Sequence, residues 1–311
     1  MKSIYFLGEC MVELKSIDDT TMRQSFAGDV YNSAVYLKRC FPSLNSGILT
    51  AVGDDALSKR MVEQFEQEQI NVDFAFVHST KAPGVYYIQT DENGERSFTY
   101  WRNDSAARQI MTFLDDDVID KLAEADMVFV SGISLAILDN TELNKLWGVL
   151  ETLRGNGVNI VFDPNYRARL WHSQQEAKSA FDRAFALANT TLPGVEDLAV
   201  LYGLKRADKV IQFCREAGCQ EIVVKDGPSS VVTSVNGQME VHPVKPVDHV
   251  VDTTSAGDAF NGAYLGARLS GFDVKKAVAC AAKAAGTVIQ YPGAIAPAEA
   301  FNHAMVDFVS A

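Results

Sequence analysis

The chain has 311 residues, 47% of them hydrophobic and 22% charged, with 9 prolines and 21 glycines. This composition excludes collagen-like and largely disordered chains and allows one large α/β domain or about two domains. Lysine and arginine number 28 against 40 aspartates and glutamates, a net charge of −12 that argues against nucleic acid or a membrane surface as partner.

Nowhere do about 18 apolar residues run together, so no membrane span is expected. Cys10, Cys40, Cys214, Cys219 and Cys280 contain no Cys-x-x-Cys pair, and an odd number cannot all pair within the chain. A reducing cytoplasm is the expected location. Residues 1 to 8 lack the basic start and small-residue cleavage site of a signal peptide.

The first apolar run, Ser3 to Leu7, stops at Gly8 and reads as a buried strand. Short alternating runs over 11–27 follow, then a helix over 32–40, a strand over 48–53 and an amphipathic helix over 56–69. Residues 74 to 102 are rich in aromatic and branched side chains, and Asp91-Glu92-Asn93-Gly94 in their middle predicts a hairpin turn. Strand and helix then alternate: 127–130 and 140–154, 159–162 and 174–187, and a further helix closed by a strand over 221–224. Two consecutive helices fill 256–290, the first with Ala256, Ala259, Ala263 and Ala267 spaced for close packing on a sheet. The alternation predicts an α/β fold: a three-layer α/β/α core with a mostly parallel sheet over 1–11, 31–72 and 104–311. A small β-sheet lid is expected over 12–30 and 73–103.

The strongest chemical signal is Asp252-Thr253-Thr254-Ser255-Ala256-Gly257-Asp258, where an extended segment turns into the alanine-lined helix. The first turn of a helix has unpaired N–H groups and a partial positive charge, so small residues there let a phosphate approach. Asp258 falls in that turn, where the same field is expected to keep it ionised and able to take a proton from an attacking hydroxyl. An aspartate capping a helix is the plainer reading of the segment alone. Gly132-Ile133-Ser134-Leu135-Ala136 nearly fits a hydrolase nucleophile elbow at Ser134, but its fifth position is Ala and no His-Gly-Gly-Gly-like loop precedes it. Gly155-Asn156-Gly157 lacks the third glycine of a dinucleotide fingerprint, and neither a Walker A pattern nor a zinc-ligand histidine pair is present.

Three segments in order, Gly28-Asp29-Val30-Tyr31-Asn32, Val52-Gly53-Asp54-Asp55 and Ser255-Ala256-Gly257-Asp258, resemble the ribokinase-like (PfkB) family of carbohydrate kinases, and the resemblance spans the chain. Within it, Gly28-Asp29-x-x-Asn32, Gly84-Val85-Tyr86-Tyr87, Tyr100-Trp101-Arg102-Asn103 and Asn165-Tyr166-Arg167 are similar to members acting on 2-keto-3-deoxygluconate. The resemblance implies a kinase using ATP and Mg²⁺ to phosphorylate the 6-hydroxyl of that sugar acid. It implies Asp258 as general base, and Ala256, Gly257 and Asp258 amides as an anion hole. It also implies Asn165, Arg167, Lys225, Gly227, Ser255, Ala256 and Gly257 beside the nucleotide. The sugar acid would meet Gly28, Asp29, Asn32, Tyr86, Tyr100, Arg102, Arg167 and Asp258. The guanidinium forks of Arg102 and Arg167 suit a carboxylate, with the Tyr86 and Tyr100 hydroxyls as donors. Taken singly, the arginines read equally as surface or salt-bridging groups and the tyrosines as core aromatics.

The chain departs from the family pattern at three places. Asp29 stands at the second glycine of the first motif, and Ser255 replaces the first glycine of the Gly-Ala-Gly-Asp run. In the Asn-x-x-Glu motif linked to magnesium, Pro193 stands at the Asn position while Glu196 is kept. No direct protein ligand to the metal is therefore expected, Glu196 acting through water. Another sugar kinase of fructokinase or ribokinase type, or a non-catalytic sugar-acid sensor, are the competing readings. Exposed sheet edges on the lid suggest a homo-oligomer through it.

Overall fold

Alternation along the apolar runs decides the layering. In β1 (Ser3–Leu7), Ile4 and Phe6 face one way and Tyr5 and Leu7 the other. Both sets are buried, so both faces of the sheet must be covered. The structure, a computed structural model, describes residues 1–90 and 96–309.

After β1 come β2 (Met11–Ser16), β3 (Met22–Ala27), α1 (Asp29–Cys40), β4 (Asn45–Gly53), α2 (Ala56–Gln67), β5 (Asn71–His78), β6 (Val85–Thr90) and β7 (Arg96–Trp101). The chain continues through α3 (Asp116–Leu122), β8 (Met127–Ser131), α4 (Gly132–Ala136), α5 (Asn140–Gly155), β9 (Asn159–Asp163), α6 (Gln174–Leu187) and β10 (Thr190–Thr191). It ends with α7 (Val195–Tyr202), α8 (Ala207–Glu216), β11 (Glu221–Asp226), β12 (Ser230–Val235), β13 (Gln238–Pro243), α9 (Ala256–Leu269), α10 (Val274–Val288) and α11 (Ala298–Val309).

The large sheet has nine strands in the order β13-β12-β11-β10-β9-β8-β1-β4-β5. It is parallel from β11 to β5, and β12 and β13 close one edge antiparallel. Leu7, Val130, Phe162 and Val224 pack with α5 to α8 on one face; Phe6, Phe129, Val161 and Val223 pack with α1, α9, α10 and α11 on the other. This is the three-layer α/β arrangement that the alternation predicts.

Four strands form a separate sheet in the order β3-β2-β6-β7. The pairs β2/β3 and β6/β7 are antiparallel, and β2/β6 is parallel. The predicted turn at 91–94 lies outside the described residues. Residues 73–78, grouped with the lid by their aromatic texture, belong instead to β5 on the edge of the large sheet. Phe74 of that strand packs edge-on against Tyr5, with ring centroids 4.8 Å apart, so its aromaticity serves the main core.

Two close approaches position the site. Helix α9 lies on α1 as well as near the sheet, and a Cβ at Gly262 would fall 2.2 Å from the Ser33 carbonyl oxygen. Gly262 therefore serves a helix–helix contact, while Ala259, Ala263 and Ala267 are buried in the same core cluster as Phe6 and Phe129 of the sheet. The second approach is the junction between the two sheets. A Cβ at Gly28 would lie 2.3 Å from the Glu9 carbonyl oxygen, and one at Gly84 would lie 2.6 Å from Glu9 Oε1 and 3.1 Å from Arg102 Cβ. Arg102 itself forms an ion pair with the Glu9 carboxylate, both side chains being almost wholly buried. The four passages of the chain between the sheets thus meet around one residue.

Candidate active site

Parallel α/β sheets place polar groups at the carboxyl ends of their strands, where helix N-termini also converge. Here β1 ends beside Glu9, β9 at Asp163 and β11 at Lys225 and Asp226, while α1 begins with Asp29 and α9 carries Asp258 in its first turn.

Asp258 is held by Asn32, whose Nδ2 donates to Asp258 Oδ2 at 2.8 Å. The orientation of that amide is fixed from its other end, where Oδ1 accepts the Gly28 N–H at 3.4 Å. The Asp258 carboxyl is pushed up to about 7, first by burial and then by the Asp29 carboxylate, against hydrogen bonds from Asn32 and Ser255. The sequence argument expected the helix field to keep it ionised as an ordinary carboxylate. Loss of water and a neighbouring like charge outweigh that field. The result is a proton acceptor poised near neutrality, the range in which a general base works best.

Asp29 is also raised by burial, opposed by hydrogen bonds from Ser131 and Asn165 and by the Arg102 charge. Its Oδ2 accepts from Asn165 Nδ2 at 2.9 Å. Asn165, expected beside the nucleotide, is turned toward Asp29 by a left-handed backbone at φ 34°.

A second polar cluster lies at the ends of β9 and β11. Lys225 Nζ sits 3.3 Å from both Asp163 carboxylate oxygens and donates to Asn261 Oδ1 at 3.1 Å. Asn261 Nδ2 donates to Asp163 Oδ2 at 2.7 Å, closing the triangle. Lys225 borders the start of α9, since a Cβ at Gly257 would lie 3.9 Å from its Nζ. Asp197, raised to about 6 by burial and by Asp163, completes the cluster; Arg167 Nη1 is 3.9 Å from Asp197 Oδ1.

The first turn of α9 is shaped for an anion. Ser255 adopts a left-handed backbone at φ 65° and turns the chain into the helix. The Ala256 N–H already donates to the Thr253 carbonyl at 3.3 Å, so of the three expected donors it is the one with a protein partner. Among the described residues no protein acceptor meets the Gly257 or Asp258 amide. Gly257 is exposed, and Gly227, at φ 62° after β11, has no atom within 4 Å of its Cβ position. Open glycines, free amides and the neighbouring lysine suit a polyphosphate. Asp252 braces the approach, its carboxylate accepting the Thr254 and Gly293 N–H groups at 2.9 Å each. Glu196 is exposed on the first turn of α7, and among the described residues no three metal-ligating side chains gather.

The residues expected to grip a carboxylate each have protein partners. Arg102 is 6% exposed and spends its charge on Glu9. Tyr86, 7% exposed, donates its hydroxyl to Glu13, and burial together with that carboxylate raises the phenol. Tyr100 stacks on Tyr86, centroids 5.7 Å apart, and carries the guanidinium of Arg169 on its ring at 4.0 Å. Arg167 faces Asp197 on the Lys225 side. Ser134 is no nucleophile: it is buried, donates to the Leu7 carbonyl at 2.6 Å, and forms a capping box with Ser131. Glu9, Glu13, Asp197, Asn261 and Arg169 carry no sequence signal that assigns them to the site, and Asp163 reads there only as a salt-bridge neighbour of Arg167. Asp163 was the most visible, as a carboxylate closing an apolar strand, and Asn261 follows Asp258 by one helical turn.

This fold, with an aspartate at an amide-rich helix start, defines a phosphotransferase of the carbohydrate-kinase type. The chain belongs to the pfkB family of carbohydrate kinases, whose sequence profile matches residues 1–300. It is 40% identical over 305 residues to the 2-dehydro-3-deoxygluconokinase of Dickeya dadantii, covering 96% of this chain and 98% of that one. The enzyme of the same name from Haemophilus influenzae is 36% identical, over 99% of this chain and all of its own. A putative ribokinase II from E. coli, solved with ATP and Mg²⁺, superimposes with a TM-score of 0.84 at 20% identity, covering 100% of this chain and 99% of that chain.

Proposed function

We propose that the protein transfers the γ-phosphoryl group of ATP to the 6-hydroxyl of 2-keto-3-deoxy-D-gluconate, forming the 6-phosphate and ADP. Identities of 40% and 36% over nearly the full length to two 2-dehydro-3-deoxygluconokinases support the acceptor. The observation that carries the chemistry is the Asp258 carboxylate, held by Asn32 beside two free amides and Lys225. Asp258 accepts the hydroxyl proton as the new O–P bond forms and the bond to the ADP oxygen breaks. The Gly257 and Asp258 amides and Lys225 receive the negative charge on the moving group. Glu196, exposed on the first turn of α7, would hold Mg²⁺ through water, and the ion would supply charge neutralisation to the donor phosphates. Asn165, Arg167, Gly227 and Ser255 border the nucleotide in this reading, and Gly28, Asp29, Asn32, Tyr86, Tyr100 and Arg102 enclose the acceptor.

The small sheet serves as a lid that excludes water from the acceptor position. Among the described residues no strand pairs with the outer edges of β3 and β7, and Trp101 and Met22 are 58% and 55% exposed, which supports a homo-oligomer through the lid. No helix among the described residues is long and apolar enough to cross a membrane. Five buried free thiols suit the reducing cytoplasm.

A coupled ADP-release assay tests the reaction, comparing the keto-deoxy acid, its galactonate epimer, gluconate, fructose and ribose. Preference for a keto-deoxy acid is expected; preference for fructose or ribose would overturn the acceptor assignment.

A further inference from the structure

Phosphoryl transfer needs a positive charge that stays beside the moving group without being spent on the protein. Lys225, at the end of β11, borders the start of α9. Its main chain is fixed, the N–H donating to the Pro193 carbonyl at 2.8 Å. Its side chain keeps 19% of its surface exposed, whereas its two partners, Asp163 and Asn261, are buried.

The contacts in this triangle are unequal. Lys225 Nζ stands 3.3 Å from each Asp163 oxygen, longer than the roughly 2.7–2.9 Å of a close ammonium–carboxylate bond. The short contact belongs to Asn261, whose Nδ2 donates to Asp163 Oδ2 at 2.7 Å. Asn261 Oδ1 accepts from Lys225 Nζ at 3.1 Å. A lysine only donates and a carboxylate only accepts, so an amide between them has one orientation. Asn261 thus occupies an oxygen on which Lys225 would otherwise close, and holds the ammonium with its other end. An ammonium has three donor hydrogens, and two partners leave one for a ligand. The neighbouring positions of α9, Ala259, Phe260, Ala263 and Tyr264, are buried and largely apolar, so packing alone does not call for an amide there. Asn261 also follows Asp258 by one turn, so a single helix carries the base, the free amides and the group that holds the lysine.

We propose that Asn261, together with Asp163, is a positioning residue for phosphoryl transfer: it keeps the Lys225 ammonium at the start of α9 and prevents its collapse onto Asp163. The inference rests on the kinase reading and adds to it a residue outside the family-derived set. In this arrangement Lys225 meets the phosphoryl group and Asn261 acts through it.

The test uses the full-length enzyme with Asn261→Leu, Lys225→Met and the double variant, assayed for ADP release with 2-keto-3-deoxygluconate. Asn261→Leu should lower kcat by roughly 10- to 100-fold, the worth of a hydrogen bond to a charged group. The acceptor KM and the pH at which the rate rises should stay unchanged, because Asn32 still holds Asp258. In the Lys225→Met background the same substitution should cost less than about 2-fold. A merely structural asparagine would lower kcat by the same factor in both backgrounds; that result, or full activity in either single variant, would overturn the proposal. Asn261→Ser keeps a donor and an acceptor on a shorter arm and should retain more activity than the leucine variant; it carries the same cycle should that variant not fold. Additive losses alongside an inactive Asp258→Asn would remove this assignment and leave the kinase reading standing. A wild-type enzyme without phosphoryl transfer would remove both.

Discussion

Asn32 donates its amide N–H to the Asp258 carboxylate across the contact between α1 and α9, at 2.8 Å. The donor and the proposed base sit on different helices, so their geometry depends on how those helices pack. Gly262, where a Cβ would fall 2.2 Å from the Ser33 carbonyl, permits that packing.

The base assignment predicts a pH profile. Asp258 must be ionised to accept a proton, and its carboxyl is pushed up to about 7. The kcat/KM should therefore rise with pH through about 7 and level off above it. Asp258→Asn should lose about 10²- to 10⁴-fold in kcat and lose that rising limb, with KM for the acceptor little changed. Normal turnover in the variant would exclude Asp258 as base.

Removing the Asn32 donor should raise the Asp258 carboxyl further. Asn32→Ala is expected to cut the rate at pH 7 by roughly 10-fold, since a hydrogen bond to a charged group is worth about 1.5–3 kcal/mol. Much of the loss should be recovered at higher pH, where the carboxylate is again ionised. A loss equal at every pH would mean that Asn32 serves packing alone.

Stability should follow the same groups with the opposite benefit. Folding raises the proton affinity of Asp258 and Asp29, so the folded state binds the proton more tightly than the unfolded chain. Their contribution to stability is fully present below the ordinary carboxylate range and is lost as pH rises through about 7. Asp258→Asn should accordingly be more thermostable than the wild type at pH 8, with the difference shrinking toward pH 5. Thermal unfolding across that range measures it, and equal Tm at both ends would contradict the buried like-charge pair.

Glu9 and Arg102 make a pair that neither partner can leave cheaply. Arg102→Met strands a buried carboxylate and should destabilise the fold by about 3–5 kcal/mol, whereas the double variant Glu9→Met/Arg102→Met should recover most of that loss. Urea denaturation of the three proteins decides it. Because the pair lies at the junction of the sheets, Arg102→Met should impair acidic and neutral acceptors together; a loss confined to the acid would return Arg102 to the role of carboxylate ligand.

The main layers were legible in the sequence because each parallel strand is a short apolar run closed by a polar residue or a glycine, as Ser3–Leu7 before Gly8 shows. The helix start near Asp258 was legible for the same local reason. The partners of the site residues were not. Glu9 meets Arg102 and Lys225 meets Asp163 across long stretches of chain, and no local period records such pairings. Aromatic density likewise could not separate Phe74, which packs in the main core, from Tyr86 and Tyr100 on the small sheet. The tuning of Asp258 is not legible in the sequence because its causes, burial first and then the carboxylate of another helix, arise only from tertiary packing.

The crowding of Gly28, Gly84 and Arg102 around Glu9 makes that spot the tightest described junction between the two sheets on which the proposed lid would hinge. In the proposed closure, a swing of the four-stranded sheet would turn about it. Cavities or bulk introduced at this pivot would alter the range and ease of closure without touching a single group that handles phosphate.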